Sequence, residues 1–273
     1  MDGRDAASAN RTVLPAARSG PFSLAQTCGP VAWGRGRWPN VDWVDGALVW
    51  VGWEAGRVVW RRVVEQTGGL AVDGSADPGL DSSWAAAVLG TAVGCPPFDD
   101  PVLTELRLRF AGLRPFAYGS LFDGLVSSIV GQSISVSAAA VTEQRLASLF
   151  AGEIRLNGRA FWPLPRPEDL ASASPALVRT SGVTGRRAEA LVAVGDRFAR
   201  GWRPEAGAAD RDAVLLALRA LPLVGPWTAD SALLWGVADG DAYPRRDVAL
   251  LRAARVAYDR PGLEHAELDA MSD

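Results

Sequence analysis

The sequence predicts an α+β protein, with a small antiparallel β-sheet domain over residues 12–78 followed by an all-α domain over residues 79–273. Short apolar runs bounded by turn residues fill the first part, and that period is lost near Asp77-Pro78-Gly79. From there on, caps and breakers separate segments of ordinary helix length.

Met1 to Arg11 is small and polar and lacks the apolar core of a secretory signal, so it reads as a frayed terminus. Ala47 to Trp53 and Arg57 to Glu65 read as strands, flanked by turn signals at Asp45-Gly46, Glu54-Ala55-Gly56 and Gly68-Gly69, which makes an antiparallel meander. Trp33, Trp38, Trp43, Trp50, Trp53 and Trp60 are read as core or strand-face packing rather than as a base-stacking surface.

In the helical part, Asp100-Pro101, Gly119-Ser120 and Gly201-Trp202-Arg203-Pro204 mark boundaries. Asp210 caps an amphipathic helix whose Val214, Leu215 and Leu218 share one face, and Leu221-Pro222 ends it. A tight turn follows at Leu223-Val224-Gly225. Pro226 then suits the first position of a second helix with Ala229, Ala232, Leu233 and Val237 as its buried stripe. The free N–H groups of that helix's first turn and its dipole form a site for one phosphate, a contact that holds nucleic acid without reading its sequence.

Composition narrows the chemistry. All 28 basic residues are arginine, set against 31 acidic ones for a net charge of −3. That balance argues against a general nucleic-acid coat protein but not against an enzyme with one local basic face. Arg155, Arg159, Arg166, Arg179, Arg186 and Arg187 bunch in one region, and Arg245-Arg246 stands before Asp247; solvated surface arginines are the alternative reading. Without lysine, no lysine side chain can form a Schiff base. Cys28 and Cys95 lack metal-ligand spacing and read as reduced thiols, and a single histidine, His265, argues against zinc. No apolar run approaches a membrane span, so a soluble, cytoplasmic protein that engages no membrane is expected.

The segment Leu218 to Asp247, LRALPLVGPWTADSALLWGVADGDAYPRRD, resembles the helix-hairpin-helix and catalytic aspartate of the DNA glycosylase superfamily, above all its 3-methyladenine DNA glycosylase II branch. Phe122 to Phe150, with Gly131-Gln132 at the bend that faces DNA, and Pro165 to Leu191 resemble further blocks of that branch in the same order, so the likeness covers about Leu80 to Asp273. The looser N-terminal part resembles the small sheet domain that precedes the helices. Three departures stand out: Leu223 where the usual hairpin has glycine, Ser133 where relatives carry a larger side chain that fills the gap of a flipped base, and a chain end at Glu267 to Asp273 where relatives continue into a last helix. The resemblance therefore implies a helix-hairpin-helix glycosylase domain shortened at its C-terminal end.

It also implies a function: hydrolytic excision of alkylated purines from duplex DNA in base excision repair, by a protein expected to be a monomer. Oxidised guanine, or a decayed DNA-binding module, are the alternatives. Asp247 is the implied catalytic carboxylate, although an aspartate there also reads as a helix N-cap. The helix N-terminus and Arg246 favour its charged form, which stabilises positive charge on the deoxyribose. Trp227 reads as the aromatic wall of the base pocket or as a core residue; Ser231 takes the place of a second pocket aromatic, and Gln132 either contacts bases or caps a helix. Leu223, Gly225, Trp227, Thr228, Ser133, Arg245 and Arg246 are the implied DNA contacts, and Asp230 reads as structural. The lyase lysine of bifunctional relatives is replaced by Trp227, and two cysteines cannot supply the four-cysteine iron-sulfur cluster of the endonuclease III group. No cofactor is expected beyond a Na+ or K+ ion, which relatives bind through carbonyls corresponding to residues 221–225.

Overall fold

The computed structural model describes residues 10–15, 20–204 and 210–272. Strands β1 (Asn10–Leu14), β2 (Val41–Val44), β3 (Ala47–Glu54), β4 (Arg57–Gln66) and β5 (Gly69–Gly74) form one antiparallel sheet in the order β1-β5-β4-β3-β2. Its tight turns follow from the sequence: Asp45-Gly46 and Ala55-Gly56 have positive φ at both residues, the conformation whose twist matches that of the paired strands. Asn10 and Arg11 belong to β1, paired with Gly74 and Asp73, which corrects the frayed-terminus reading for those two positions. Met1 to Ala9 lie outside the described residues.

One face of the sheet packs Leu48, Val63 and Leu70 against the short helices α1 (Leu24–Thr27) and α2 (Gly29–Trp33) and against α3 (Asp81–Leu89). This core contains a charge. The Arg61 guanidinium is 1% exposed, lies 5.7 and 5.0 Å from the Trp50 and Trp84 ring centroids, and pairs with Asp81 at 2.8 Å and Glu54 at 2.9 Å. Trp50 and Trp84 are buried, in line with a packing role for Trp50, whereas Trp33 is 56% exposed and meets Trp235 edge to face.

The helical part comprises α4 (Pro101–Arg109), α5 (Leu121–Gly131), α6 (Val136–Ser148), α7 (Pro167–Ser172), α8 (Pro175–Arg179), α9 (Gly185–Ala199), α10 (Arg211–Arg219), α11 (Pro226–Val237), α12 (Val248–Ala257) and α13 (His265–Met271). Between α6 and α7 it also holds a two-stranded ribbon, β6 (Ile154–Leu156) and β7 (Arg159–Phe161), too short to announce itself by periodicity. The ribbon covers the second face of the sheet: Phe161 packs with Val49 and Val51, Arg159 pairs with Asp42, and the Trp162 N–H donates to Pro39 O at 2.8 Å.

Helix α5 is the centre of the helical core. Its Leu121, Phe122, Leu125, Val126, Ile129 and Val130 are buried. It crosses α11 at backbone contact, since a Cβ on Gly124 would lie 2.4 Å from the Ala232 carbonyl oxygen and 2.6 Å from the Gly236 Cα. Only glycine permits that approach. The contact joins the start of α5 to the end of α11, so the end of α5 and the start of α11 come together at the opposite side. On α11, Ala229, Ala232 and Leu233 are buried as expected, but Val237 is 37% exposed because the helix ends there. No helix among the described residues is long and apolar enough to cross a membrane.

Candidate active site

The hairpin lies between α10 and α11. Asp210 caps α10 by accepting from the Asp212 N–H at 2.9 Å, and Leu223 takes the left-handed conformation at φ 60°. The turn thus closes as a glycine would close it, with leucine bearing a cost of about 1–2 kcal/mol. Gly225 is in extended backbone as the N-cap of α11, and no side chain caps that terminus, so the amides of its first turn stay open to a ligand. Beneath, Arg211 pairs with the buried Asp230 at 2.8 Å and with Asp239 at 2.9 Å, tying α10 to α11; Asp230 is structural.

The bend between α5 and α6 meets this hairpin. The Gln132 side-chain amide donates to Leu223 O and to Thr228 Oγ1, each at 2.9 Å, and Gln132's own carbonyl accepts from the Arg187 guanidinium. Thr228 is 3% exposed and its hydroxyl is taken by Gln132. Ser133, next to Gln132, is exposed with φ 54°. The Leu221 carbonyl accepts from the Val224 N–H at 3.3 Å and the Gly225 carbonyl from the Ala229 N–H at 3.0 Å, so with Leu223 O three carbonyls in the stretch 221–225 hold one donor each. Their neutral oxygens keep a second lone pair, which suits a monovalent cation.

Asp247 is the N-cap of α12 and also faces Trp227. Its Oδ1 accepts from the Ala249 N–H at 2.7 Å and the Leu250 N–H at 2.9 Å, while Oδ2 accepts from the Trp227 indole Nε1 at 2.8 Å. The N-cap reading of this residue therefore holds, and the same carboxylate keeps its other oxygen on the Trp227 indole. Arg246 turns the chain into the cap with φ 62°. Ser133, Leu223 and Arg246 are three of the nine non-glycine residues in left-handed backbone among the described residues. Arg245 lies over the Tyr243 ring, 5.7 Å from its centroid. Of the apolar pattern in α12 only Leu251 is buried; Val248 and Val256 are 57% and 83% exposed.

Other expectations need correction. Ser231 is 2% exposed and its hydroxyl has no partner among the described residues, so it lies in the interior rather than on an open pocket wall. The arginine cluster disperses: Arg155 and Arg159 are on the ribbon, paired with Glu153 and Asp42, and Arg166 pairs with Asp169 while covering the Trp53 ring. Of that cluster, Arg187 reaches the Gln132 carbonyl. A polar cleft of about 340 Å³ lined by Arg211, Arg219, Tyr243 and Arg245 borders the loop that carries Asp247, but Trp227 and Asp247 do not line it.

A buried acid near the bend gave no sequence signal. Glu143 on α6 is 1% exposed and accepts from Ser127 at 2.6 Å and Tyr118 at 3.4 Å; burial pushes its carboxyl up to about 7. Burial likewise raises Asp123, bonded to Ser120 at 2.7 Å, to about 6.

No family model matches the chain. Among curated proteins it is 25% identical over 162 residues to DNA-3-methyladenine glycosylase of Bacillus subtilis, covering 58% of this chain and 52% of that protein. It is 29% identical over 166 residues to DNA-3-methyladenine glycosylase 2 of Escherichia coli, covering 61% of this chain and 56% of that protein. The chain thus matches about half the length of these relatives. Its fold superposes on 3-methyladenine DNA-glycosylase from Archaeoglobus fulgidus with a TM-score of 0.75 at 19% identity, over 96% of this chain and 91% of that one. The chain is thus similar in sequence to DNA-3-methyladenine glycosylases and shares its fold with a 3-methyladenine DNA-glycosylase. The same glycosylase fold occurs in the apo 8-oxoguanine glycosylase/lyase of Clostridium acetobutylicum, with a TM-score of 0.69 at 15% identity over 97% of this chain and 92% of that one. Fold alone does not separate these substrates within the glycosylase superfamily, whereas the sequence similarity is to the 3-methyladenine branch.

Proposed function

We propose that this protein is a monofunctional, cytoplasmic DNA glycosylase of base excision repair that takes an alkylated purine of the 3-methyladenine type out of duplex DNA and hydrolyses its bond to deoxyribose. The contact between the Trp227 indole and the Asp247 carboxylate, beside an uncapped helix N-terminus, carries this reading. The amides of α11 hold one phosphate of the strand. That anchor sets the sugar of the flipped nucleotide against Asp247, whose two oxygens are held in place by three N–H donors.

As the glycosidic bond breaks, positive charge grows on the sugar, and a carboxylate already oriented stabilises it without reorganising and guides water to the same carbon. The indole, with its N–H committed to Asp247, offers its π face to the base. An alkylated purine is cationic, so that face attracts it, and it leaves without a strong general acid. Arg245 and Arg246 supply charge for the backbone on the Asp247 side. A Na+ or K+ ion at the carbonyls of residues 221–225 fits the donor chemistry and would stiffen the hairpin. No lysine exists to form an imine with the sugar, so excision leaves an intact abasic strand.

The test is an excision assay on duplexes carrying an alkylated purine or an oxidised guanine, read with and without alkali. Release of the alkylated purine, with strand cleavage only after alkali, is expected. Cleavage without alkali, or release of oxidised guanine alone, would overturn the reading. Duplex binding with the same negligible excision in wild type and Asp247→Asn would instead mark a DNA-binding protein that has lost catalysis.

A further inference from the structure

We propose that Gln132 is a positioning residue, a strut from the α5–α6 bend that holds the left-handed turn at Leu223 in the absence of glycine. The part of this proposal that concerns DNA rests on the function proposed above. Leu223 is 40% exposed, so burial of its side chain does little to offset its backbone strain. What holds it is polar. A carbonyl oxygen only accepts, so the Gln132 group facing Leu223 O is the NH2 donor, and its two hydrogens serve two acceptors on either side of the hairpin, Leu223 O and Thr228 Oγ1. The side chain thus spans the turn from its strained residue to the first turn of α11. Its root is held in turn by Arg187 of α9, which donates to the Gln132 carbonyl. With both amide hydrogens committed inside the protein, Gln132 has no donor left for a base edge.

A glycine at position 223 would adopt the same φ without help. The strut and the strain are therefore coupled, and removing the strain should remove the need for the strut. The full chain is compared as wild type, Gln132→Ala, Gln132→Glu and the double variant Gln132→Ala/Leu223→Gly. Binding of a fluorescent undamaged duplex is read by anisotropy at fixed salt, and hydrogen exchange of the amides from Leu223 to Thr228 is read without DNA. Gln132→Ala should weaken binding about tenfold, as expected for two lost hydrogen bonds, and speed exchange in the hairpin. Gln132→Glu, which keeps the shape and loses the donors, should behave alike. The double variant should return to within about threefold of wild type in both readouts, a factor well under 1 kcal/mol. If it stays as weak as Gln132→Ala while the hairpin exchanges normally, Gln132 acts on DNA directly and the proposal is wrong. If wild type fails to bind any duplex, the functional reading is what has failed, and exchange decides the strut: unchanged protection in Gln132→Ala would overturn it.

Discussion

The indole Nε1 of Trp227 donates a 2.8 Å hydrogen bond to Oδ2 of Asp247, joining the first turn of α11 to the N-cap of α12 across 20 residues of chain. One side chain is the expected aromatic wall and the other the expected carboxylate, so the bond fixes each relative to the other before any substrate enters.

Replacing Asp247 with asparagine separates its two roles. Asparagine keeps the capping oxygen but turns an NH2 toward the Trp227 indole N–H, so stability should fall by about 1–3 kcal/mol, while excision should fall by about 10²- to 10⁴-fold. Single-turnover excision with parallel thermal unfolding checks this, and retained excision would remove Asp247 from the chemistry.

Trp227→Phe deletes the indole N–H and keeps an aromatic face. The turnover rate should drop by about tenfold, with KM within about twofold of wild type, because only the orientation of the carboxylate is loosened. Trp227→Ala should raise KM as well. Equal losses in both variants would show that the ring does not touch the base.

Glu143 makes stability depend on pH. Its carboxyl titrates near 7 in the folded protein, through burial first, against an ordinary value of 4.5. Between these values the folded state holds a proton that the unfolded chain has lost, so this contribution is full below about pH 4.5, declines up to about pH 7 and is flat above. Glu143→Gln should therefore be more stable than wild type at pH 8, by on the order of 3 kcal/mol, and the difference should shrink towards pH 5. Denaturant unfolding of both proteins across that range tests it; a constant difference would refute the assignment to Glu143.

Arg61 anchors the sheet to α3 through Asp81, whose side chain is 5% exposed. Arg61→Met leaves that carboxylate buried without its cation and should cost about 3–5 kcal/mol. Urea unfolding measures the loss; a change below about 1 kcal/mol would mean that the core relaxes to admit water.

Much of the site was legible because its determinants are local. Asp210, Pro226 and Asp247 act within one turn of helix, and Asp45-Gly46 closes a hairpin from its own backbone preference. The arginine cluster misled because spacing along the chain does not report which distant carboxylate stands opposite: Arg159 found its partner on Asp42, while Arg166 is taken up by its own helix's Asp169. The ribbon β6–β7 was invisible since three-residue strands carry no measurable period.

Sequence by itself determined that a β-rich part precedes a helical one, the helix–turn–helix segment with its open N-terminus, the lack of any lysine nucleophile and the identity of Asp247 as a cap. Only the tertiary structure decided that Asp247 meets Trp227, that Gln132 reaches Leu223, that Ser231 faces inward and that Glu143 is buried against two hydroxyls. The reason is physical. Caps and turns are set by dihedral preferences a few residues long, whereas a hydrogen bond between distant side chains exists only once packing, here the Gly124–Gly236 contact of α5 and α11, has fixed where each helix ends.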